Sequence, residues 1–230
     1  MFKYLKFMSF HLMAVIAIIS ITLGGTYISI GFAIWVAVYL GGDIVFGDDT
    51  ATPQYRYPAL LTWQLWLALP LTVILVFVCC WQFASQDIGQ YGAWVTRFTG
   101  YDTLLARQNT SMIQYGVMVI YLGLVVGVMA TITGHELTHR TWQPVSLLIG
   151  RWLLAFSFDA NFAIEHVYGH HKYVSTLNDP ATAPRGRGVY AHIIISTIKG
   201  NISAWHIEQQ RLVRKQLAVW SWHNKALRGY

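Results

Sequence analysis

Four long apolar stretches, divided by short polar ones, fill the first 133 positions of the chain. Residues 7–42 carry no Asp, Glu, Lys or Arg over 36 positions, whereas one bilayer crossing needs about 20 residues as a helix. Gly24-Gly25-Thr26 falls near the middle of that stretch and supplies a turn. Two helices are therefore expected, over 7–23 and 27–43. A polar loop follows to Pro58. Residues 59–84 form the third expected span, with Pro70 placed to kink it. Residues 87–108, holding Arg97, Asp102 and Arg107, read as a polar hairpin. The fourth span, 112–133, is an uncharged run of 22 residues that leads straight into His135.

Residues 144–163 are apolar enough to suggest a fifth crossing, but they contain Arg151, Asp159 and Asn161. Such groups cost several kcal/mol at mid-bilayer on the order of insertion scales. A crossing there would also put His139 and His166 on opposite faces of the membrane. A re-entrant or interfacial helix removes both difficulties. Beyond the polar segment around Asn178-Asp179-Pro180 and Arg185-Gly186-Arg187-Gly188, residues 189–217 alternate apolar and basic positions as amphipathic surface helices do.

Composition fixes the class. Charged residues are 11% of the 230 positions, against about 25% in an ordinary globular chain. The expected fold is an all-α integral membrane protein with about four transmembrane helices in 1–133 and a surface part over 134–230, together one domain. Lys3 and Lys6 precede the first apolar run, which is too long for a cleaved signal peptide and has no A-x-A-like site, so it reads as a retained anchor. Of the 16 Lys and Arg, 11 lie from Arg140 onward and none in 7–55. With four crossings before His135, the histidine-bearing part shares a side with Lys3, Lys6 and the basic tail, which the positive-inside rule assigns to the cytoplasm. Cys79 and Cys80 are adjacent within an apolar run and frame no disulfide scaffold.

Five of the nine histidines fall within the 37 positions from His135 to His171. They form two groups, Gly134-His135-Glu136-Leu137-Thr138-His139-Arg140 and Glu165-His166-Val167-Tyr168-Gly169-His170-His171. His135 and His139 stand four apart and stack on one helical face, a spacing that can bind one metal. His166 and His170 repeat it. His171 points about 100° further round an α-helix, unless Gly169 breaks the geometry. Ligands splayed in two directions suit a pair of metals. Glu136, Glu165 and Asp179 can ligate or can orient a ring by accepting its second N–H. The isolated His11, His192, His206 and His223 read as structural or interfacial, and Trp35, Trp63, Trp66 and Trp81 as core or membrane-belt residues.

One rival reading attaches to the first group. His135-Glu136-Leu137-Thr138-His139 satisfies H-E-x-x-H, the zinc protease pattern with glutamate as general base. An intramembrane zinc metalloprotease needs only one further protein ligand, however, and the second group offers three. A non-catalytic membrane or metal-binding protein is the remaining alternative.

The pair of boxes, H-E-L-x-H-[KR] and E-H-x-x-G-H-H, resembles the membrane alkane monooxygenases and xylene monooxygenase, within the membrane fatty acid desaturase/hydroxylase superfamily. The segment Val174-x-Thr176-x-x-Asp179-Pro180-Ala181 and the stretches Ala204–Glu208 and Trp220–Asn224 look similar too. The resemblance implies a bacterial inner-membrane enzyme with a non-haem di-iron centre on the cytoplasmic side. His135, His139, His166, His170 and His171 would be iron ligands. Molecular oxygen would hydroxylate the terminal carbon of an alkane or related substrate, with electrons from NADH through rubredoxin and its reductase. A fatty acid desaturase of the same superfamily is the close alternative. The basic stretch from Lys199 to Lys215 is a platform for an acidic donor on this reading. The family also has an H-x-x-H-H box and an H-Y-G motif further along, absent here, so the chain reads as the N-terminal part of a six-helix bundle, inactive alone.

Overall fold

The structure, a computed structural model, describes residues 2–48, 50 and 52–229. Asp49 and Ala51, in the expected polar loop, lie outside them. Among the described residues there are helices and turns but no strand. The chain divides into two compact units, Met1–Ala130 and Thr131–Tyr230.

In the first unit, apolar runs become helices whose polar backbone groups are satisfied internally, as a hydrocarbon environment requires. The candidate spans are Lys3–Leu23, Thr26–Phe46, Pro58–Phe83 and Met112–Thr138. Gly24 and Gly25, with φ of 70° and 52°, turn the chain between the first two. Gly31 then lies against Ser20, so close that a Cβ on it would come within 2.2 Å of Ser20 Oγ. Small residues at such a crossing let two backbones approach, the usual means of helix association in lipid. Ala14, Ala17, Ile21, Ile28, Leu75, Val78, Met118 and Tyr121 are buried in this unit, while Ile34, Val38, Val73, Ile74, Val119 and Ile120 face outward. Helix persists on both sides of Pro70.

The polar segment 87–108 forms the expected hairpin with helical arms, Thr103 Oγ1 donating to Gly92 O at 2.9 Å between them. It contains two short helices, Tyr91–Thr99 and Thr103–Gln108. Two aspartates account for them. Asp87 accepts hydrogen bonds from the Gly92 and Ala93 amides at 2.8 and 3.0 Å and from Trp81 Nε1 at 2.7 Å. Asp102 is an N-cap accepting from the Leu105 amide at 3.0 Å. Ser111 and Gln114 then close a capping box at the start of Met112–Val126.

The second unit begins at the last two turns of the fourth candidate span, Ile132–Thr138, entered through a π-turn at Gly127–Thr131. Helix Pro144–Ala155 follows. Its 12 residues rise about 18 Å, short of the roughly 30 Å hydrocarbon core, as expected for a stretch that does not cross. The two helices touch at glycines. A Cβ on Gly134 would lie 3.0 Å from Gly150 O, and one on Gly150 would lie 2.9 Å from Leu137 Cβ. The polar residues that argued against a crossing find partners: Arg151 donates to Lys225 O at 2.6 Å, and Asn161 Nδ2 to Asn201 Oδ1 at 3.1 Å. Beyond the second histidine group, a single helix, Val189–Arg214, replaces the several amphipathic helices expected. Ala204, Glu208 and Leu212 are its buried positions.

Candidate metal centre

The first two histidines come from one helix end. His135 lies in Ile132–Thr138 and His139 caps it, so the i, i+4 spacing brings their Nε2 atoms to 3.2 Å. Gly134 beside Gly150 allows helix Pro144–Ala155 to pack directly behind this turn.

The second group is built differently from the α-helical expectation. Phe162–Glu165 is α-helical, but His166–His170 winds as a π-turn before helix resumes at His171. A wider turn puts residues five apart in register. His166 and His171 therefore point together, Nε2 to Nε2 at 3.0 Å, rather than His166 and His170. Gly169 is what the turn requires, since a Cβ there would lie 2.3 Å from Glu165 Oε1 and 3.2 Å from Ile207 Cδ1.

The two groups meet. His166 Nε2 lies 2.7 Å from His135 Nε2 and 3.2 Å from His139 Nε2. They share one side, which no membrane crossing between them would allow. His135, His139 and His166 form a triangle whose ligand atoms are all within 4.8 Å of one another, and His171 joins at His166. Three lone-pair nitrogens pointed at one another are poorly served by linear hydrogen bonds, because each ring N–H reaches one acceptor only. A metal holding imidazoles at about 2.1 Å sets neighbouring ligand nitrogens roughly 3 Å apart. The donor set fits a bound cation.

Protonation agrees. Burial, reinforced by the neighbouring His135, His171 and His139 imidazoles, pulls the His166 pKa down to about 3. It is neutral near pH 7, the form a metal needs. The Phe162 ring stacks on it at 4.5 Å between centroids, 12° from parallel.

His170 stacks on His166 at 5.2 Å between ring centroids, and a carboxylate orients it. Its Nδ1 donates to Asp179 Oδ2 at 3.0 Å, which leaves Nε2 as the lone-pair nitrogen. Asp179 is buried and is itself fixed by Thr182 Oγ1 at 2.5 Å and the Ala181 amide at 3.0 Å. These bonds, chiefly the one from Thr182, outweigh burial and hold its carboxyl below the ordinary aspartate value.

The glutamates are placed differently from each other. Glu165 is buried and accepts from Ser203 Oγ at 3.2 Å on helix Val189–Arg214, and burial raises its pKa. Glu136 instead pairs with Arg140 at 3.1 Å with half its side chain exposed. It is not aimed at the triangle, where the general base of a zinc protease would sit. Sequence reasoning missed Ser203 and the buried Glu208, which accepts from Arg211 Nε at 2.7 Å and from the Lys225 amide at 2.6 Å. Glu208 follows four residues after Ala204 on a helical stripe with Leu212, the one signal available for it.

Residues 111–230, just over half of the chain and the part holding all five histidines, match the fatty acid desaturase family. The chain is 29% identical over 212 residues to the alkane 1-monooxygenase of Ectopseudomonas oleovorans, covering 88% of this chain and 46% of that protein. It is 36% identical over 128 residues to the alkane 1-monooxygenase of Acinetobacter baylyi, covering 55% and 31%. The match to the xylene/toluene monooxygenase hydroxylase component of Pseudomonas putida is 34% over 108 residues, 46% and 29%. The chain spans about half the length of the curated relatives it matches along most of its own length.

Proposed function

This chain belongs to the fatty acid desaturase family, and from that premise we propose that its histidines form part of the non-haem di-iron centre of a membrane monooxygenase. The substrate proposed is an alkane or a related hydrophobic molecule, hydroxylated at its terminal carbon. Support comes from relatives that are alkane 1-monooxygenases. The observation that carries the reading is the approach of the His135, His139 and His171 Nε2 atoms to that of His166 at 2.7, 3.2 and 3.0 Å.

On this proposal His135, His139, His166, His170 and His171 hold iron, and imidazole suits that metal. The metal, when bound, supplies activation of molecular oxygen. The chain's own residues do the rest. Asp179 fixes the tautomer of His170, and burial keeps His166 neutral and ready to ligate. The Phe162 ring covers one face of His166. Electrons are proposed to arrive from NADH through a rubredoxin-type protein on the cytoplasmic side of a bacterial inner membrane. Arg214 and Lys215 are exposed for such an acidic partner. Arg211, by contrast, is neutralised by Glu208.

Anaerobic titration of the purified chain with Fe(II), followed by metal analysis and Mössbauer spectroscopy, tests the assignment. Iron in a nitrogen-rich site, lost in His166→Ala, is the expected result. Exclusive uptake of one zinc per chain would overturn it. Terminal alcohol formed from a linear alkane by membranes containing the protein and a donor, and abolished by His166→Ala, tests the substrate class.

A further inference from the structure

A cavity of about 810 Å³ opens in the second unit, apart from the histidine triangle. Small-molecule sites run from about 300 to 1,000 Å³. One wall is a face of helix Val189–Arg214, with Lys199, Ser203, His206, Gln210 and Arg214 in one helical row. Asp179, Pro180 and Arg187 come from the polar loop, and Lys172 and Tyr173 from the end of the second histidine group.

The charge of this lining is one-sided. Lys172, Arg187, Lys199, Arg211, Arg214 and Lys225 are its cations, and Asp179 and Glu208 its only acids. Both acids are spent: Asp179 on His170, Thr182 and the Ala181 amide, Glu208 on Arg211 and the Lys225 amide. Among the described residues, no ion pair joins Lys172, Arg187, Lys199 or Arg214 to a carboxylate. Like charges gathered round a concavity focus a positive potential that an anion relieves.

The same helix shows what carries that anion. Tyr190, Ile194, Ile198 and Ile202 recur every fourth residue in the row beside Lys199 and are 82%, 62%, 56% and 50% exposed. An exposed apolar row flanked by unpaired cations on a chain with four candidate membrane spans matches an amphiphile, with acyl chains along the isoleucines and an acidic head in the cavity. A protein partner needs about 800 Å² of matched surface on each side, and these cations line a hollow instead.

We propose that this cavity binds the phosphate-bearing headgroup of an anionic membrane lipid, with Lys199 and Arg187 as principal contacts. The site lies outside the histidine triangle and shares with the proposed metal centre only Asp179 and Ser203, which bond His170 and Glu165.

The test titrates the detergent-solubilised chain with dihexanoyl phosphatidylglycerol, dihexanoyl phosphatidylcholine and inorganic phosphate, read by native mass spectrometry. Phosphatidylglycerol is expected to bind about tenfold more tightly than phosphatidylcholine. Lys199→Glu with Arg187→Glu should remove that preference, and the milder Lys199→Gln with Arg187→Gln should reduce it where the charge reversal fails to fold. Lys215→Glu, at the C-cap of the same helix but outside the cavity, should leave it in place. Equal binding of the two lipids, or an equal effect of Lys215→Glu, would overturn the proposal. Displacement by inorganic phosphate at matching concentration would reassign the site to a free anion and end the lipid reading. Loss of a rubredoxin-type protein's binding in the double variant, with phosphatidylglycerol binding intact, would make the cavity a protein dock and equally end it.

Discussion

His170 and Asp179 are joined by a 3.0 Å hydrogen bond from the ring Nδ1 to the carboxylate Oδ2. They come from different segments, so the loop after the second histidine group acts directly on a histidine of that group. Asp179 is anchored by two further bonds, and the ring it holds is therefore held to one tautomer and one direction.

Asp179→Asn is expected to weaken metal binding by about 10- to 100-fold, the usual cost of losing a carboxylate behind a ligand histidine. Competitive titration with Co(II) or Fe(II) measures this. Unchanged affinity would show that His170 does not ligate or does not depend on Asp179.

The metal should also stabilise the fold. Ligand present at a hundred times its dissociation constant adds about 2.7 kcal/mol, visible as a rise in thermal midpoint. His166→Ala should abolish that rise because His166 contacts three other imidazoles. His192→Ala should retain it, since His192 bonds to the Ala181 carbonyl at 3.2 Å and lies outside the triangle.

Gly169→Ala places a methyl where Glu165 Oε1 now lies, 2.3 Å from the new carbon. Relief requires Glu165 to leave Ser203 or the turn to unwind, and overpacking of this kind costs about 1–3 kcal/mol. Chemical denaturation should show that loss together with weaker metal binding. A loss of stability alone, with metal affinity intact, would mean that the turn survives at Glu165's expense.

Acid should unpick the tail from the helix. Arg211 and the Lys225 amide hold the Glu208 carboxyl below its ordinary value despite burial. A depressed folded-state pKa means that the unfolded chain binds the proton first as pH falls. The stabilisation from Glu208 is thus complete above its ordinary value near 4.5 and lost as pH drops through the lower folded value. Glu208→Gln should flatten that part of the stability–pH curve, measured by melting between neutral and acid pH.

Much of this molecule is legible in its residues. The uncharged runs give the spans because hydrocarbon admits little else, and Arg151, Asp159 and Asn161 reveal that the stretch between the histidine groups stays on one side. The partner of each histidine is less legible. An α-helical count pairs His166 with His170, whereas the π-turn pairs it with His171, and only the crowding around Gly169 explains that choice. Glu136 sits beside His135 in sequence but turns to Arg140, a preference set by the i, i+4 reach of the guanidinium. Residues 87–108 are legible as a polar hairpin but not as a helical one, because the helices in its arms are too short to show a period.

The extra residue wound into His166–His170 bears on anyone transplanting this box. Pasted onto an ideal helix of a designed bundle, the same seven letters would set the last imidazole about 140° round the axis from the first. A faithful graft has to import the wide turn, the bare glycine and the carboxylate that fills the space beside it as one cassette. Deleting a single codon inside it should be harsher than many replacements.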